Sequence, residues 1–164
     1  MSMIGNFLAI SPDQLAAFKA DPDSVIPFLY PDDEDAELGA HLDIDKAWHA
    51  IHYTLNGSAW EGEEPLFLVV LGGEEIGEDA GYGPARYLTP DEVRQVAAAL
   101  STVGADQFSE RFSPAQLDAA EIYPQIWERD GAEGLEYVLF YYNQLVSFYG
   151  DAAKRGDAVL AYLN

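Results

Sequence analysis

Cysteine is missing from this chain of 164 residues, which removes disulfides and thiolate metal centres from consideration. Its absence fits a reducing cytoplasm, the expected location. Basic residues are scarce as well: 8 Lys and Arg stand against 29 Asp and Glu, for a formal charge of −21. Such a surface repels phosphate backbones, so nucleic acid is not an expected partner. It attracts basic proteins and speeds their encounter, although solubility or a general acidic bias explains the same charge. Long apolar runs are also lacking. The longest, Leu66 to Leu71, is halted by Gly72-Gly73, far short of the roughly 18 residues of a membrane span. Met1 to Ile10 has no basic leader segment, so neither a signal peptide nor a membrane anchor is expected.

Several site signatures are missing too. Gly81, Gly83 and Pro84 are followed by no phosphate-loop lysine, and the neighbouring Glu78 and Asp79 oppose an anion. The acidic run Asp32 to Glu37 lacks the alternating ligands and the glycine of a calcium loop, and reads as an exposed loop.

The richest stretch is His41 to Gly57, which holds all three histidines. Ile44, Trp48, Ile51 and Leu55 recur at helical spacing. Asp43 or Asp45 is a suitable N-cap, and Gly57 a suitable left-handed stop. His52 lies one turn after Trp48, on or beside the buried face, and Asp45 with His49 is expected as an exposed pair on a flank that includes Tyr53. One reading makes the histidines a metal or acid–base site. However, His49 and His52 are three residues apart, not the four of the zinc-protease helix, and no cysteine completes a ligand set. The other reading has His52 bonding a neighbouring loop and holding the helix in place. No metal or cofactor is expected.

In the remaining chain helices outnumber short strands, without regular strand–helix alternation. Ile4 to Ile10 predicts an opening strand. Ser11-Pro12-Asp13-Gln14 predicts a capped helix start. Ser24 to Tyr30 is a short apolar piece, and Ser58 to Glu64 a loop whose Trp60 reads either as a binding anchor or as a side chain that folds back over a helix end. Pro65 to Leu71 suits a short helix, Gly72 to Gly83 a flexible loop, and Ala85 to Leu88 a strand. Thr89 with Glu92 predicts a capping box. A helical segment over Asp106 to Phe112 is followed by a further start at Ser113. Glu121 to Trp127 is expected to be extended, because Pro124 biases Tyr123 away from helix. Ala132 to Ala153 predicts the longest helix, with Leu135, Leu139, Tyr142, Val146 and Tyr149 as its central stripe. Ala158 to Leu163 predicts a final strand. The sum is an α+β fold over residues 1–164, a single compact domain with a helical body and a small antiparallel or mixed sheet.

Met3-Ile4-Gly5-Asn6-Phe7, Leu42-Asp43-Ile44-Asp45-Lys46 with Trp48, His52, Leu55 and Gly57, Pro65-Leu66 with Val70-Leu71-Gly72, and Phe112-Ser113 with Leu117 and Glu121-Ile122-Tyr123-Pro124 together resemble the YfbM-like bacterial proteins, a domain family of unknown function. The resemblance spans essentially the whole chain. It implies one α+β domain with no established activity, and it includes His52 but not His41 or His49. The candidate functional cluster is Asp43, Asp45, Lys46, Trp48, His52, Glu121 and Tyr123. Three function classes stay open. The leading one is a non-enzymatic binding protein, such as an inhibitor or immunity-type partner of a basic protein. The others are a hydrolase-type enzyme using Asp45, His52 and Glu121 in one cleft, and a small-molecule sensor built around the aromatic helix.

Overall fold

A computed structural model describes residues 2–164. Its centre is an antiparallel sheet of β1 (Gly5–Ile10), β2 (His41–Asp43), β3 (Glu74–Asp79), β4 (Pro84–Leu88) and β5 (Ala158–Leu163) in the order β2-β1-β5-β4-β3. The first and last strands are paired along their whole length, Gly5 against Leu163 through Ile10 against Ala158. Both are buried on two faces, which is why they read as continuous apolar runs and not as alternating ones.

Side chains still alternate across the sheet. Leu8, Ile10, Ala85, Tyr87, Leu160 and Tyr162 face a smaller core closed by α1 (Pro12–Ala20) and α2 (Val25–Leu29). Phe7, Leu88, Val159 and Ala161 face the larger core. That core is built by α3 (Trp48–Asn56), α4 (Pro90–Leu100), α5 (Ala105–Arg111), α6 (Pro114–Ala119), α7 (Trp127–Asp130) and α8 (Ala132–Arg155). Gly5 marks the tightest approach between sheet and helices, because a Cβ there would lie 2.9 Å from Cβ of Trp48.

Local chemistry sets most boundaries. Ser11 and Ser113 accept the N–H of Gln14 and Gln116, and Thr89 with Glu92 completes a reciprocal capping box. Gly57 and Gly156 close α3 and α8 at φ of 72° and 75°. Pro65 to Leu71 contains a short 3-10 turn over Leu66–Val69.

Three expectations need correction. The acidic Gly72 to Gly83 segment is not a loop throughout. It contains β3, an edge strand whose single inward residue Ile76 is buried while its exposed acids face water. One inward apolar side chain among acids is a weak strand signal. Glu121 to Trp127 is not extended either: Glu121 and Gln125 adopt φ of 58° and 62°, and the chain turns sharply into α7. The buried stripe of α8 is Gly134, Val138, Tyr142, Leu145, Tyr149 and Ala152, with Leu135, Leu139 and Val146 only half-buried. Apolar residues occupy both adjacent lines, so periodicity alone does not select between them. Trp127 packs beside Gly134, 3.4 Å from where a Cβ would stand, and thereby favours the line through glycine.

Candidate functional site

Two structures grow from the segment 41–57. The first is an anchor. A 3-10 turn over Asp45–Ala47 leads into α3, which starts at Trp48 with no side-chain cap. Neither Asp43 nor Asp45 caps that helix; the carboxylate of Asp43 instead accepts the N–H of Asp45 at 2.7 Å. Trp48 is buried, its indole N–H donates to the Met3 carbonyl at 2.9 Å, and it stacks on His49 and Tyr123 with ring centroids 4.8 and 5.8 Å away. The Tyr123 hydroxyl accepts the N–H of Met3 at 2.9 Å. Trp60 closes over His49 at 4.5 Å between centroids, so this exposed tryptophan does fold back over the helix.

His49 corrects a further expectation. It is 2% exposed and not on a solvent flank. Its Nδ1 accepts the N–H of Tyr123 at 2.9 Å, so Nε2 carries the proton and donates to the Ala59 carbonyl at 2.9 Å. Its partner is therefore the 59–61 loop and the 121–126 turn, not Asp45. His52 is fully buried. Its Nε2 faces the Glu61 carbonyl at 3.1 Å and its Nδ1 the Asn56 amide at 3.3 Å. Burial pushes its pKa down to about 4, and lowers those of His49 and His41 as well. Both α3 histidines are thus neutral pegs that satisfy loop backbone groups.

The second structure is a cleft of about 360 Å³ between this segment and the start of α8, lined by Asp45, Lys46, Pro124, Ile126, Asp130, Glu133 and Tyr137. The Tyr137 hydroxyl donates to the Asp45 carboxylate at 2.8 Å and accepts the Lys46 N–H at 3.0 Å. Burial and the Asp45 bond raise the pKa of that phenol, so it stays protonated. Asp45 has φ of 51°, and with Glu121 and Gln125 it completes the set of non-glycine residues at positive φ among the described residues. All three therefore lie in the two segments that wall this cleft. Left-handed backbone at non-glycine residues costs of order 1–3 kcal/mol each and concentrates where a surface must be shaped.

The sequence-derived cluster consequently divides. Asp45 and Lys46 line the cleft, with Asp43 exposed beside them. Trp48, His52 and the half-buried Tyr123 belong to the anchor. Glu121 is exposed and bonds to neither Asp45 nor His52. Among the described residues no three His, Asp or Glu side chains are grouped closely enough to hold a metal ion, and no helix is long and apolar enough to cross a membrane. Sequence reasoning missed Asp130, Glu133 and Tyr137. The signal available was the line Glu133, Tyr137, Tyr141, four residues apart on one helix face and outside the buried stripe.

The profile of a domain of unknown function, DUF1877, matches residues 1–162. The chain is 27% identical over 169 residues, 99% of each sequence, to Protein YfbM of Escherichia coli (strain K12). It also superimposes on the crystal structure of YfbM, described there as a protein of unknown function, with a TM-score of 0.76 at 23% identity, covering 98% of this chain and 99% of that one. That likeness shows a shared fold.

Proposed function

Since the chain belongs to the DUF1877 family, which carries no assigned activity, we propose from its own cleft and charge that it is a non-enzymatic binding protein, an inhibitor or immunity-type partner that captures a basic protein in the cytoplasm. The observation that carries this reading is the cleft itself. Asp45, Asp130 and Glu133 rim it beside Lys46, and Arg129 reaches the Asp130 carboxylate at 2.9 Å, in a chain of net charge −21. A lysine or arginine side chain entering there meets carboxylates at the mouth, and Pro124 and Ile126 offer apolar contact for its methylene stem. The wider negative field accelerates the approach of such a partner.

The hydrolase reading loses its base in this geometry, because His52 is fully buried with both ring nitrogens engaged. The sensor reading has no comparable support, since the cavities along the aromatic helix are open clefts and do not enclose a small molecule.

The test is calorimetric titration with hexalysine. Asp130→Asn with Glu133→Gln should weaken binding about tenfold, as expected for localised hot-spot contacts. Asp33→Asn with Glu34→Gln makes the same charge change on the exposed acidic loop, and should weaken it less than about twofold. Equal losses from both pairs would mean that only the overall field acts, and the cleft would not be the site.

A further inference from the structure

A second cavity lies end to end with the cleft along α8, about 500 Å³ in volume and lined by His41 and Leu42 of β2 and by Phe140, Asn143, Gln144, Ser147, Phe148 and Asp151 of α8. Phe140 is 60% exposed although it projects into an apolar-floored groove. From Glu133 to Asp151 the two cavities follow 19 residues of one helix, or about 27 Å for the steps between them at 1.5 Å each. An extended segment of about eight residues has that length.

The other wall of this trough is an open sheet edge. β2 is the outermost strand next to β1. The bonds from Ala9 N–H to Ala40 C=O and from Ile44 N–H to Gly5 C=O fix which groups of β2 point toward β1, namely those of residues 40, 42 and 44. Those of His41 and Asp43 therefore point outward. The His41 N–H is bonded back to Gly39 C=O. The His41 C=O and the Asp43 N–H and C=O have no backbone partner among the described residues. A free edge beside an unfilled groove is the arrangement by which sheets accept an added strand.

Building on the proposed capture of a basic protein, we propose that the partner is bound through an extended segment of alternating apolar and basic residues, added as a sixth strand to the β2 edge and lying in the trough against α8. Its bonds run to His41 and Asp43. Side chains on the face of Leu42 meet Phe140, Phe148 and Gln144, and those on the opposite face meet Asp43. One end of the segment reaches Asp45 and Glu133 in the cleft and the other reaches Asp151. Charge selects the occupant. A second copy of this chain would bring another −21 to the same edge, whereas a basic segment neutralises the carboxylates along the trough.

The test uses the full chain and a capped decapeptide of alternating lysine and valine, titrated calorimetrically. A second peptide of the same sequence is N-methylated on alternate residues, which removes one edge of strand bonds while keeping charge. N-methylation and Phe140→Asp should each lower the affinity about tenfold or more, while Asp33→Asn with Glu34→Gln changes it less than about twofold. Equal affinity of both peptides, with Asp130→Asn and Glu133→Gln still weakening them, would overturn strand addition and leave the basic-partner reading standing. Loss of sensitivity to the cleft variants, with N-methylation still effective, would retain strand addition and remove the cleft from the basic-partner reading. A dimer in analytical ultracentrifugation that Phe140→Asp converts to monomer would give the edge to a second copy and overturn the proposal.

Discussion

The anchor around Trp48 and the cleft around Asp45 begin within four residues of each other, yet their side chains are used in opposite ways. Trp48, His49 and His52 are at most 2% exposed, and every ring nitrogen among them meets a protein group. Asp45 and Lys46 are half-buried, and Asp130 and Glu133 leave their carboxylates at a cavity mouth. The residue types most associated with catalysis therefore build the frame, and ordinary carboxylates and a tyrosine form the surface that can meet a partner. A histidine has two nitrogens at fixed angles, so one ring can tie two loops that no backbone pairing reaches. His49 does this between Ala59 and Tyr123.

The contrast predicts a ranking of effects. The largest loss should come from Trp48→Ala, which opens a cavity and frees the Met3 carbonyl, at about 3–5 kcal/mol in a denaturant melt. Next, His52→Ala and His49→Ala should each cost about 1–3 kcal/mol, because each removes a buried ring and its part-buried bonds to loop backbone. An unchanged midpoint for either would remove that histidine from the anchor. Tyr137→Phe, on the cleft side, should cost about 0.5–1.5 kcal/mol, since its partners Asp45 and Lys46 regain water. Asp130→Asn with Glu133→Gln should move stability by no more than about 0.5 kcal/mol while weakening hexalysine binding.

The anchor also sets a pH response. The pKa of His52 is depressed to about 4 in the folded protein, against about 6.5 in an unfolded chain. Between these values the unfolded state takes up a proton that the folded state refuses, so the His52 contribution is fully present above about pH 6.5 and is lost as pH falls toward 4. Denaturant melts across that window should show falling stability, and His52→Gln should flatten part of the slope.

Much of the frame was legible in the chain. Ser11, Ser113 and the Thr89–Glu92 box each mark a helix start by a local bond that needs no tertiary knowledge. The strand Ala158–Leu163 and the stop at Gly57 were similarly local. His52 as a loop-bonding peg followed from its one-turn spacing to Trp48, and its partner is the Glu61 carbonyl. What stayed hidden depends on approach from elsewhere. His49 lies on the flank of the helix away from the apolar stripe and is buried because Trp60 and Tyr123 close over it. Half of the cleft comes from Asp130, Glu133 and Tyr137, some 90 residues after Asp45 and joined to it by the Tyr137 hydroxyl.

The division between anchor and cleft is tested most directly by two-dimensional amide NMR of the ¹⁵N-labelled protein titrated with hexalysine at low salt. The account predicts that the largest shift changes cluster at Asp45, Lys46, Asp130, Glu133 and Tyr137, with His49 and His52 nearly still. Changes centred on His49, His52 and Trp60, or spread evenly over the acidic surface, would contradict it.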